Sequence, residues 1–149
     1  MEHAVVWSSL ILGAFGLIVT IIYTRKSQEL ANDKMMKELY TEFNSRYNKL
    51  NDKLSIIESE FPTMEKLEKA VNSEEMKQTI IDFFNLCAEE YYWYDHKKRI
   101  DKIVWLSWHN GLKYWYNNIE VIREMWQIEM QKVGSKGYYI KGDKGFFNS

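Results

Sequence analysis

A chain of 149 residues with 20 Lys+Arg against 21 Asp+Glu, a formal net charge of −1, has no basic surplus for a general grip on nucleic acid. Its single cysteine, Cys87, excludes an intramolecular disulfide framework and any site built on a cysteine pair, and it fits a reducing compartment. One proline, Pro62, and no glycine between Gly16 and Gly111 leave little turn chemistry for a β-fold, so the composition predicts an all-α protein.

Residues 4–23 (AVVWSSLILGAFGLIVTIIY) carry no charge. At ~1.5 Å rise per residue, a helix of this length spans the ~30 Å hydrocarbon core of a bilayer. The sequence therefore predicts an N-terminal transmembrane helix over 4–23, a short outer end over 1–3 and a helical domain over 24–149. A secretory signal peptide would open on Lys or Arg and close on a small-residue cleavage site. Here Met1, Glu2 and His3 precede the segment, and Thr24, Arg25 and Lys26 follow it. Arg25, Lys26, Lys34 and Lys37 all lie after the segment and none lies before it, which places the C-terminal domain in the cytoplasm. Trp7 and Tyr23 fall near the two ends, where amphipathic rings favour the membrane interface.

Within this segment Ser9, Gly13, Gly16 and Thr20 share one helical face. Small residues on one face let membrane helices approach closely. The stripe reads either as a packing seam in a homo-oligomer or as the lining of a narrow pore.

Met36, Tyr40, Phe43, Tyr47, Leu50, Leu54, Ile57 and Phe61 then alternate at spacings of four and three, up to Pro62. That pattern predicts a long amphipathic helix over 27–61, with no breaker between it and the apolar segment. Its stripe reads as a bundle seam within the domain or as a contact between protomers. A bundle over 63–133 follows. It comprises a short helix or turn near 63–71, a helix with Ser73 as its N-cap running to about His96, a third over Lys102 to Tyr116 capped by Asp101 and bent or broken near Gly111, and a last from Ile119 to Val133 capped by Asn118. The tail, 134–149, holds four of the seven glycines and reads as irregular, its aromatic residues docked on the bundle or on a neighbouring subunit.

Little in the chain has the spacing of catalytic chemistry. His96 and His109 are too far apart in sequence for a helical metal pair, so no metal site is expected. No phosphate loop, nucleophile elbow or dinucleotide fingerprint occurs, and no cofactor is expected. Cys87 falls on an apolar helix face and reads as a core thiol. Glu89 and Glu90, before the aromatic run 91–94, read as a solvated face beside core rings. Lys97, Lys98, Arg99 and Lys102 read as a basic loop between helices, with phosphate or anionic lipid as the alternative contact.

The block 83–92 (FFNLCAEEYY), with Arg99, Ile100 and Asp101, then Val104, Trp105, Trp108, His109, Asn110, Gly111, Tyr114 and Trp115, resembles a group of small bacterial membrane proteins with one N-terminal span and a helical cytoplasmic domain. The layout is also similar to the accessory membrane protein of type VI-B CRISPR systems. That resemblance implies a single-pass protein of the bacterial inner membrane, a divergent HEPN-like fold and a part in antiviral defence. It also implies an RNA-guided CRISPR RNase or its RNA products as partners, beside the lipid bilayer and further copies of the chain. The nuclease form of the HEPN domain places four to six residues between Arg and His. Arg99 and His109 depart from that spacing, so an RNase built on Arg99, His109 and Asn110 is the lesser expectation. A membrane scaffold for a cytoplasmic partner is another. The leading expectation is a non-enzymatic oligomeric effector that forms a pore or depolarises the membrane.

Overall fold

A computed structural model describes residues 2–140 and 147, apart from the side chains at 2–6 and 8–11. The described residues form helices and turns with no strand, the all-α architecture that the composition predicts. The chain divides into two units, Met1–Leu39 and Tyr40–Ser149.

Helix α1 (Glu2–Glu60) contributes to both units without interruption, as the lack of a proline before Pro62 allows. In the first unit, Leu12, Phe15, Leu17, Ile18, Val19, Ile21, Ile22 and Tyr23 are all exposed. At about 100° per residue these positions run round the helix and leave only the side of Gly13, Gly16 and Thr20 small. A Cβ added at Gly13 or Gly16 would meet nothing within 4 Å. The Thr20 hydroxyl donates to the Gly16 carbonyl at 2.8 Å, so its own helix satisfies it. The Ser9 side chain lies outside the described residues. Among the described residues no helix is long and apolar enough to cross a membrane. The described apolar side chains begin at Leu12, with Trp7 before them, while the rest of the uncharged run from residue 4 lies outside that description.

The second unit is a bundle around α3 (Ser73–Tyr91), whose Met76, Ile80, Phe83, Phe84 and Cys87 are buried. From α1 it takes Phe43, Leu54 and Ile57, all fully covered, with Tyr47 and Leu50 partly covered. This stretch of the heptad stripe is therefore a bundle seam. Tyr40 stays half exposed, and Met36, in the first unit, is partly exposed. A short helix, α2 (Met64–Glu68), follows Pro62, and the Lys66 N–H donates to the Thr63 hydroxyl at its start. The Val121 N–H donates to the Pro62 carbonyl at 3.0 Å, which ties this turn to the far side of the bundle.

Three boundaries differ from the sequence reading. Ser73 opens α3 instead of capping it: Asn72 holds the cap position, and the Ser73 hydroxyl is buried without a partner among the described residues. The helix expected to reach His96 ends at Tyr91 and widens into a π-helical turn, Tyr92–His96. Asn118 does not cap α5 (Glu120–Lys132): its amide donates back to the Tyr114 carbonyl, and Ile119 takes the cap position.

Helix α4 (Lys102–Asn118) passes through Gly111 unbroken, against the expected bend. The Asp101 carboxylate accepts the Ile103 N–H at 2.7 Å and caps α4 as expected. Asp101→Ala is expected to lower stability by about 1 kcal/mol, read as a lower urea midpoint at unchanged slope.

Gly134 (φ +72) ends α5 in the left-handed conformation that glycine adopts without strain, and α6 (Gly134–Gly137) follows. Tyr138, Ile140 and Phe147 are buried. Phe147 stacks on Tyr116 at 4.5 Å and meets Trp126 edge-on at 5.1 Å, so this part of the tail docks on its own bundle. Phe146 lies outside the described residues.

Candidate functional site

The chemistry-bearing side chains of the second unit gather where α1, α3 and α4 meet. Two adjacent carboxylates on α3 have opposite fates there. Glu89 faces outward, where both its oxygens accept from the Arg46 guanidinium at 2.6 and 2.8 Å. Arg46 also reaches Glu42 at 3.7 Å. Such a two-pronged pair fixes the register of α1 on α3, although its partial exposure holds its contribution to roughly 1 kcal/mol or less. This fork is part of the lining of an open groove of about 470 Å³, together with Lys49, Asp82, Asn85 and Tyr139.

Glu90 faces the other way. It is 3 % exposed, and its Oε2 has no hydrogen-bond partner among the described residues. It lines a cavity of about 130 Å³ with Asn44 and Tyr47 of α1 and Ser107, Trp108, Gly111 and Leu112 of α4. Burial pushes its carboxyl up to about 8, against the opposing pull of Arg46 and with the added push of Glu89. The carboxyl is therefore mostly protonated at neutral pH. The expectation of a solvated face at Glu89 and Glu90 holds only for Glu89.

Aromatic rings build the walls. Trp108 stacks on Tyr40 at 5.9 Å and meets Phe43 edge-on at 5.7 Å. The Trp115 indole N–H donates to the Tyr47 hydroxyl at 2.8 Å. Behind them Trp105 lies between two parallel rings, Tyr94 at 4.8 Å and His109 at 5.2 Å.

The residues of the RNase expectation fall in different environments. His109 is 4 % exposed within that ring stack. Arg99 is exposed on the loop before α4, where its N–H donates to the Trp93 carbonyl at 3.0 Å. Asn110 is exposed on α4. Lys97, Lys98 and Lys102 are exposed around the same loop, as expected of it. The Lys97 ammonium sits over Tyr92, and that of Lys98 over Tyr94. Cys87 is buried, and burial pushes its thiol well above its ordinary range, which suppresses the thiolate that a nucleophile needs. Among the described residues no three His, Cys, Asp or Glu side chains are grouped to hold a metal ion.

Glu90 is buried against the expectation of a solvated face. The signal was present: Glu90 stands seven residues after Phe83, four after Leu86 and three after Cys87, on the buried stripe of α3.

No protein-family model, curated protein or solved structure matches the chain.

Proposed function

We propose that this chain is a membrane-anchored, non-enzymatic effector. Its N-terminal apolar segment inserts into a lipid bilayer, self-associates there and perturbs the membrane. The observation that carries this reading is the ring of exposed apolar side chains from Leu12 to Tyr23, which finds no cover within its own unit. A helix that is apolar all round requires an apolar surrounding, and the uncharged run from residue 4 supplies the length for a span. The cations after the segment orient the second unit to the cytoplasmic face of a bacterial inner membrane.

Self-association is supported by the open small face at Gly13 and Gly16. The Thr20 hydroxyl, bonded to its own helix, favours that face as a seam over a water-filled lining. A place for this membrane action in antiviral defence, beside an RNA-guided RNase, rests on the resemblance of the block 83–92 and the residues after it.

The test is the mass of the detergent-solubilised particle by light scattering, corrected for bound detergent. The reading predicts a discrete particle of several protomers that Gly13→Leu with Gly16→Leu reduces to monomers. It also predicts that the same pair abolishes dye release from liposomes. A wild-type monomer, or an assembly indifferent to the pair, overturns self-association through this face.

A further inference from the structure

The cavity beside Glu90 is independent of the membrane anchor, and its chemistry is one-sided. Its single ionisable carboxyl, Glu90, presents an unpartnered buried Oε2. Among the described residues no cationic side chain lines it, and Arg46, a nearby cation, donates to both oxygens of Glu89. Asn44 spends an amide N–H on the Tyr40 carbonyl, leaving its amide oxygen as an acceptor. The Tyr47 hydroxyl receives the Trp115 N–H, and Ser107 adds a second hydroxyl. Two aromatic residues, Tyr47 and Trp108, are part of its lining, and aromatic rings attract organic cations. A volume of about 130 Å³ admits roughly four groups of water size, at ~30 Å³ each.

We propose that this cavity binds a small primary ammonium ion, with the Glu90 carboxylate as its counter-ion and the rings of Tyr47 and Trp108 against its carbon. A carboxylate, neutral acceptors and aromatic walls suit an alkylammonium, whereas a bare divalent cation would call for several anionic oxygens.

Binding is linked to proton release. The groups acting on Glu90 are Arg46 from α1, which favours its charged form, and Glu89 on α3, which opposes it. The cavity residues from α4 are the neutral Ser107, Trp108, Gly111 and Leu112. Free Glu90 therefore holds a proton below about pH 8. An incoming ammonium ion keeps its own protons and expels that one to solvent as the carboxylate forms. Affinity consequently rises with pH up to that point and levels off above it.

The probe is methylammonium chloride, titrated against the full-length chain in detergent by saturation-transfer NMR on its methyl protons. The expected result is saturable binding that is roughly tenfold tighter at about pH 9 than at about pH 7. Glu90→Gln removes the counter-ion and is expected to abolish it. Gly111→Leu is the second variant: Gly111 lines the cavity and a Cβ there meets nothing within 4 Å, so a larger side chain takes up cavity volume while the Glu90 carboxyl is retained. It too is expected to abolish binding, with the helical circular dichroism and cooperative melting of the wild type. No saturable transfer at either pH overturns the proposal, as does wild-type affinity in either variant.

Discussion

Leu12→Lys with Phe15→Lys is expected to release the chain from membranes. Both side chains are exposed near the middle of the uncharged run. A lysine at the centre of a membrane helix is disfavoured by ~2.5–3.5 kcal/mol, so each substitution shifts partitioning about a hundredfold. The pair together shifts it by roughly ten-thousandfold if the two effects add. Lysine is a good helix former, so α1 itself persists. Sedimentation of membranes after an alkaline wash reads the outcome. The wild type and a Phe15→Leu control should stay in the pellet, and the lysine variant should appear in the supernatant, its bundle still folded.

Glu90→Gln is expected to stabilise the protein at alkaline pH and to flatten its pH dependence. The Glu90 carboxyl titrates near 8 in the folded chain, whereas an exposed glutamate in the unfolded chain titrates near ~4.3. Between those values the folded state holds a proton that the unfolded state has lost. Stability is then fully present below the lower value and declines as pH rises, by about 1.4 kcal/mol per unit, until it levels near the upper one. Glutamine never ionises, so the variant lacks this decline and should exceed the wild type by several kcal/mol at about pH 8, and match it closely near about pH 4. Urea denaturation across that range tests this directly. Equal slopes with pH in the two proteins would mean that Glu90 is not the titrating group.

The fold was legible where one physical signal dominates. The three-four alternation from Phe43 to Ile57 foretold a buried helix face, and Asp101 before an apolar-periodic segment foretold a cap. Gly111 suggested a bend, but α4 runs through it without interruption, since a lone glycine inside a helix costs only about 1 kcal/mol. Asn118 suggested a cap, but its amide found a nearer acceptor one turn back, a competition that local sequence does not decide. The candidate site was hidden for a related reason. Glu89 and Glu90 are identical in type, and the ~100° turn between adjacent helix positions sends one to Arg46 and the other into a cavity. Tyr47, Ser107 and Gly111 lie on two helices far apart in sequence, so no linear motif joins them. Periodicity could have flagged Glu90, since its register on α3 is that of Phe83 and Cys87. For the N-terminal segment, the apolar side chains of residues 12–23 are exposed, while among the described residues no helix is long and apolar enough to cross a membrane.

The most direct test of the membrane anchor is the depth of a nitroxide placed by Ile18→Cys, in a Cys87→Ser background, on the full chain reconstituted in lipid bilayers. Insertion predicts a label that collides with dissolved oxygen and is shielded from an aqueous nickel chelate. A label freely quenched by the nickel chelate would place residue 18 in water and contradict the account.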